Sequence, residues 1–138
     1  SVDLNGNEYI ITASTGEIDF KNTDIIFLQD VKALIILKDD DEITITSKFG
    51  KYNITNFDTI FSKNVTVDYL DNKINGEYLD SSFDRNSLII SKNVVYKNEK
   101  NILKADVVEI NIKTKDTKIF MYEKDKKVNI KSINQNGS

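Results

Sequence analysis

Cysteine and histidine do not occur anywhere in the 138 residues. Without cysteine there is no disulfide and no thiolate metal site, and the redox compartment stays open, since a cysteine-free chain suits either. Without histidine the chain lacks the commonest general base and the commonest metal ligand, so neither a Ser-His-Asp nor a Cys-His apparatus can be built. Carboxylates and lysines are left for chemistry. Proline is absent too, and arginine occurs once, at Arg85. No apolar run approaches the roughly 18–20 residues that span a bilayer; the longest is "ALIIL", Ala33 to Leu37. The sequence begins at Ser1 rather than Met. This predicts a trimmed or mature piece from which an N-terminal anchor has been removed.

The chain does contain charge, isoleucine and asparagine in quantity. It has 18 Lys, 20 Ile and 16 Asn, a bias that warns against reading each Asn or Lys as functional. The Asn-x-Thr triplets at Asn53 and Asn64 fall under the same bias. A net charge of −3 argues against wholesale nucleic-acid binding. The charge is uneven: residues 1–69 carry 6 basic and 12 acidic groups, residues 70–138 carry 13 and 10. The C-terminal half could face an anionic partner, or the asymmetry is a solvated surface. A single domain over 1–138 is expected. At this length folding buries roughly 68% of the unfolded chain's surface, enough for a core without staples.

Apolar residues recur with a period of two. "EITITS" puts Ile43 and Ile45 on one face, "VTVDY" groups Val65, Val67 and Tyr69, and "VVEINIK" groups Val108, Ile110 and Ile112 opposite Glu109 and Asn111. "VKALIIL" places Val31, Ala33, Ile35 and Leu37 together. Such alternation is what a half-buried strand requires, and the β-branched content agrees. Turn-forming clusters punctuate the strands: "NGN" at 5–7, "KNTD" at 21–24, "KDDD" at 38–41, "TNFD" at 55–58, "LDNK" at 70–73, "KNEK" at 97–100 and "KTKD" at 113–116. An all-β sandwich, barrel or solenoid follows.

The alternation is organised as a repeat. Ala13, Ser47, Gly76 and Ala105 align at spacings of 34, 29 and 29. Seven residues on come Phe20, Ile54, Phe83 and Ile112; fourteen on, Phe27, Phe61, Ile90 and Ile119; eighteen on, Val31, Val65 and Val94, with Glu123 breaking the pattern. A degenerate last unit is expected where stacking ends. Four strands per unit predict about 14 to 16 short strands. The small residue lets a facing sheet or an enclosed ligand approach; alternatively Asn75-Gly76 is a hairpin turn.

These stretches resemble a family. "DLNGNEYIITASTGEIDF", "ITITSKFGKYNITNFDTIFSKNVTVDY" and "INGEYLDSSFDRNSLIISKNVVYKNEKNILKADVVEINIKTKDTKIFM" look like successive units of the LptC proteins of lipopolysaccharide export, over roughly residues 3–122. The LptA family and the amino-terminal domain of LptD share the pattern. The resemblance implies an all-β open β-jellyroll, two antiparallel sheets folded like a taco, with no enzymatic activity, no cofactor and no metal. It implies a periplasmic component that takes lipopolysaccharide from the inner-membrane export transporter and passes it to an LptA-like unit by edge-to-edge strand pairing. A missing N-terminal helix would tether it to the inner membrane. An LptA-like soluble bridge is the alternative.

On this reading the lipid groove is lined by Ile11, Phe20, Phe27, Val31, Ile35, Ile43, Ile45, Phe61, Val65, Val67, Ile90, Val94, Val108, Ile110, Ile112 and Ile119. The partner edges are Tyr9, Ile11 and Ala13 at one end and Ile119, Phe120 and Met121 at the other. Unpaired strand edges suit strand addition. Each inner residue could equally be ordinary core, and a structural β-solenoid without lipid binding would have its inner faces packed shut. "DDDE", Asp39 to Glu42, reads as a solvated turn rather than a calcium loop, since no loop glycine follows. Lysines 113, 115, 118, 124, 126, 127 and 131 either steer anionic groups or keep an edge strand soluble. A glycan-active enzyme would need paired carboxylates on stacked units, which the repeat does not place.

Overall fold

The two middle repeat units, 47–75 and 76–104, each run from mid-strand to mid-strand: part of one long strand, a whole bent strand and part of the next. The computed structural model describes residues 6–122 and 130–132. Ten strands lie among them: β1 (Glu8–Thr12), β2 (Thr15–Ile18), β3 (Ile25–Ile36), β4 (Glu42–Asn53), β5 (Thr59–Tyr69), β6 (Asn72–Ser82), β7 (Ser87–Lys97), β8 (Asn101–Asn111), β9 (Thr117–Phe120) and β10 (Ile130–Ser132). All pair antiparallel in one sheet, in the order β1-β3-β4-β5-β6-β7-β8-β10, with β2 beside β1 on β3 and β9 beside β10 on β8. The expectation of 14 to 16 short strands thus needs recounting. The six strands from β3 to β8 run unbroken through a central bend, so hydrogen bonding joins what the sequence suggests as separate strands.

The bend divides the sheet into two limbs. The first limb holds β1, β10 and residues 31–36, 42–47, 65–69, 72–76, 94–97 and 101–105. The second holds β2, β9 and residues 25–29, 49–53, 59–62, 78–82, 87–91 and 107–111. Register slips mark the fold line between Thr46 and Phe49, Ser62 and Val65, Asn75 and Tyr78, and Ser91 and Val94. Such bulges bend a strand without ending it. The residue just before each repeat valine takes the left-handed conformation: Asp30 (φ 51°), Asn64 (φ 53°) and Asn93 (φ 54°). Asn and Asp tolerate it better than other L-residues. The small residues occupy the partner strands of the same fold line: Ser47 on β4, Gly76 on β6 and Ala105 on β8. Ala13 lies in the break between β1 and β2.

Gly76 is not a hairpin turn. A Cβ there would lie 2.7 Å from Ile90 Cγ2 and 3.3 Å from the Ser91 carbonyl oxygen, so close approach of β7 demands glycine.

The turns at the second limb's free end share one chemistry. Asp19, Asn53, Ser82 and Asn111 stand at the same repeat position. Each accepts a hydrogen bond through its side-chain oxygen from a backbone N–H two or three residues on, at Lys21, Thr55, Arg85 and Lys113. Phe57, Asn86 and Lys115 then take positive φ. "FDRN", Phe83–Asn86, is such a turn, with Ser82 in the place that Asp or Asn takes in the others. Neighbouring units are also stapled: the Ile54 N–H donates to the Asp24 carbonyl at 2.9 Å, and Ile112 to Asn86 at 2.8 Å.

The limbs close on each other across an apolar interior. Ala33, Ile35, Ile43, Ile45, Val67 and Ile74 from the first limb meet Phe61, Leu79, Leu88, Ile90 and Val108 from the second, all at most 1% exposed. Tyr9 on β1 reaches across to pack on Phe83, ring centroids 4.9 Å apart, and on Tyr52 at 6.1 Å. Its hydroxyl bonds to Thr59 Oγ1 at 2.9 Å. Thr59 donates in turn to the Phe57 carbonyl, which makes Tyr9 the donor of that bond. At the seam Lys115 from the β8–β9 turn is clasped between Asp39 and Asp41 of the β3–β4 turn, with its Nζ 3.0 Å from Asp41 Oδ2.

Candidate functional site

Three regions could bind something: the interior between the limbs, the two strand edges, and the outer faces. Cross-strand register assigns each side chain to a face. One inner row of the second limb runs Leu28, Gly50, Phe61, Leu79, Ile90, Val108, Ile119; one of the first runs Ile11, Ala33, Ile45, Val67, Ile74, Tyr96, Leu103. Val31, Val65 and Val94 begin the first limb's inner face just past the bend, and each is buried. Ile35, Ile43, Ile110 and Ile112 are buried inside as well. Fourteen of the sixteen groove candidates therefore share the interior side of the sheet, of which Ile11 and Ile119 lie at its ends.

Two do not. Phe20 stands in the β2–β3 turn, 92% exposed. Phe27 is on the outer face of the second limb, in the row with Lys51 and Ile60. The cause is a single residue. The bulge in β5 spans Lys63 and Asn64, and in β7 Lys92 and Asn93, but β3 has only Asp30 between Gln29 and Val31. A shift of one residue exchanges the faces of a strand. Leu28 takes the inner place that Phe61 and Ile90 hold in the later units. Leu28, Tyr96 and Leu103 are interior residues that alternation alone did not single out.

The proposed edges are edges in the described structure. β1 and β2 pair only with β3, and β9 only with β8. Tyr9 and Ile11 point inward from β1, Ala13 follows it, and Ile119 and Phe120 close β9. Met121 packs against the interior. Glu123, Lys124, Lys126, Lys127 and the side chain of Lys131 lie outside the described residues.

The interior is apolar with few polar intrusions. Burial pushes the Tyr9 phenol well above its ordinary range, against the opposing hydrogen bond to Thr59. Burial also raises Tyr69, helped by the charge of Asp41, and the Tyr69 hydroxyl has no hydrogen-bond partner among the described residues. At the seam a cavity of about 550 Å³ is lined by Leu37 and Ile112 together with Asn7, Lys38, Asp39, Lys113 and Lys115. Among the described residues no group of His, Cys, Asp or Glu is placed to hold a metal ion, and no helix is long and apolar enough to cross a membrane. A lipid chain could replace side-chain contacts in this interior, since apolar burial at roughly 25 cal/mol per Å² serves an acyl chain as it serves a core.

No family model and no curated protein matches the sequence. Among solved structures the chain is similar to LptH of Pseudomonas aeruginosa, the LptA-homologous periplasmic component of the conserved lipopolysaccharide transport device. The TM-score is 0.67 at 10% identity, over 91% of this chain and 94% of LptH. With the sheet order and two edges that are unjoined among the described residues, this establishes the architecture: the chain has an all-β, antiparallel, LptA-like β-jellyroll fold that is open rather than closed into a barrel.

Proposed function

We propose that this protein is a periplasmic lipopolysaccharide-binding transport component, taking lipid from an inner-membrane transporter and handing it to the next β-jellyroll unit. The observation that carries the reading is the bent sheet itself. Its inner face is mostly apolar from one strand edge to the other, broken by Thr59 and Ser81 in the second limb, and both edges are left unpaired among the described residues. The inner rows would bind acyl chains, and β1–β2 and β9 would join neighbouring units by strand pairing. The full-length likeness to LptH favours a soluble bridge role. The opening "DLNGNEYIITASTGEIDF" favours an LptC-like role beside the transporter, with a tether to the inner membrane. Lipid must part the limbs, because the inner faces are in contact. That contact is also what a structural scaffold would show, and it is the second reading.

Photo-crosslinking to labelled lipopolysaccharide separates the two. Probes at Ile45, Val67 and Ile112, with half-buried Leu28 and exposed Ile119 at the two ends of the interior, should crosslink, and a probe at outward Glu109 should not. Crosslinks at none of the five inner positions would move the scaffold to the front.

A further inference from the structure

The seam opposite the fold line is tied at two places. Tyr9 crosses it to Thr59 and Phe83, and Lys115 crosses it to Asp39 and Asp41. The cavity of about 550 Å³ lies between these ties, its lining running from Asn7, two residues before Tyr9, to Lys115. Its floor is Leu37 from the first limb and Ile112 from the second. Each is only 3% exposed and belongs to the buried core, so this floor is the outer skin of the interior. The rim mixes Lys38, Lys113 and Lys115 with Asp39, and Asp41 and Asp116 follow in the same two turns, so charge there selects no sign of ligand. What the cavity offers a ligand is an apolar floor divided between two limbs.

The Lys115 clasp can open without dismantling either turn. Asp39 Oδ1 accepts the Asp41 N–H at 3.2 Å, and the Asp40 N–H donates to the Leu37 carbonyl at 2.8 Å. Across the seam, the Asn111 side chain accepts the N–H groups of Lys113 and Thr114 at 2.9 Å, and its carbonyl accepts that of Lys115 at 2.7 Å. Releasing the Lys115 ammonium costs neither turn a bond of its own. The three charged side chains are a third to a half exposed, and ion pairs so exposed are weak and screened by salt. The closed seam also carries a penalty. The buried Tyr69 hydroxyl, near enough to Asp41 for that charge to act on it, has no hydrogen-bond partner among the described residues. Parting the limbs would let water reach it.

We propose that this cavity is a side entrance through which a single acyl chain passes between Leu37 and Ile112 into the interior, and that the Lys115 clasp is its gate. The chain's polar head stays outside, at the mixed rim. This inference rests on the lipid-binding reading and adds to it a route that does not run through the strand edges.

Stopped-flow fluorescence of the full chain with cis-parinaric acid, an acyl chain that fluoresces in apolar surroundings, tests the proposal. Entry into the wild-type protein should quicken with salt. Lys115→Met, which keeps the aliphatic stem and loses the charge, should quicken entry fivefold or more and remove the salt dependence. Lys73→Met, which removes the exposed ion pair to Asp68 on the outer face of the first limb, should change neither. Asp41→Cys and Lys115→Cys joined by a short bis-methanethiosulfonate should slow entry tenfold or more, and reductant should restore it; the chain has no cysteine of its own to interfere. Equal rates in the joined and reduced forms would overturn the side entrance alone, and the chain would then enter by the strand edges. Equal rates and salt dependence in Lys115→Met and wild type would overturn the gate. No fluorescence rise in any form would overturn the proposal together with the lipid-binding reading.

Discussion

The two limbs carry the same inner face and opposite outer ones. Inside, both are dominated by Ile, Val, Leu and Phe, with Thr59 and Ser81 the buried polar pair of the second limb. Outside, the first limb reads Thr12, Lys32, Thr46, Thr66, Asn75 along one row, with the Asn75 amide donating to the Thr66 hydroxyl at 2.9 Å. The second reads Phe49, Ser62, Tyr78, Ser91, Val107, Phe120. The same strands supply both rows, on either side of one bend. Packing between the limbs dictates the inner residues and leaves the outer ones free. The threonines are what a solvated sheet surface asks for; the aromatics are not.

The contrast breaks most sharply at two phenylalanines of the same limb. Phe61 points inward and is fully buried, while Phe49 points outward. Phe61→Ala should lower the unfolding free energy by about 3–5 kcal/mol, through lost transfer energy and a residual cavity. Phe49→Ala should cost well under half of that, because part of its surface is already in water. Urea denaturation of both variants checks this. Equal losses would mean that the outer row is also core and that the faces are wrongly assigned.

Much of this architecture was legible in the sequence because one face of each strand is buried. Period-two alternation found the strands, and clusters of Asn and Asp found most turns. The repeat found the fold line without identifying it: Ser47, Gly76 and Ala105 mark one side of the bend, and Asp30, Asn64 and Asn93 the other. What was hidden depended on single residues. The bulge that is one residue shorter in β3 turned Phe27 outward, and no local pattern distinguishes Asp30-Val31 from Lys63-Asn64-Val65. Long strands were read as pairs of short ones because a bulge interrupts alternation as a turn does. The outer aromatic row was missed for another reason. Phe49 and Tyr78 are 29 residues apart and hold the same place in the repeat, two residues past Ser47 and Gly76, but only the bulges at the fold line decide that this place faces outward.

The fold line itself should be the next most sensitive place. Gly76 is where both limbs depend on one contact, since a methyl group would meet Ile90 on the neighbouring strand. Gly76→Ala should cost about 1–3 kcal/mol by overpacking. The strain should spread to both limbs, so that amide exchange speeds up in residues 72–76 and 78–82 alike. Loss confined to one limb would mean that the bend is not shared and that the limbs respond as separate sheets.

The smallest effect concerns how the first limb is held onto the second, and pH exposes it. Tyr9 is buried and its phenol is raised above the ordinary value of 10.0, mainly by desolvation. A group that binds its proton more tightly when folded contributes stability that is fully present below the unfolded pKa and is lost as pH rises above it. Stability should therefore hold up to about pH 10 and fall beyond it, as the unfolded chain releases the Tyr9 proton and the folded one keeps it. Tyr9→Phe removes the hydrogen bond to Thr59, costing about 1 kcal/mol at neutral pH, but it also removes that alkaline loss. The stability curves of wild type and variant should then converge above pH 10, with Tyr69, raised for the same reason, still titrating in both. Parallel curves would mean that Tyr9 ionises as freely in the folded protein as in the unfolded one. The latch between the limbs would then be open to solvent, and the interior would be accessible at that end without any parting of the sheet.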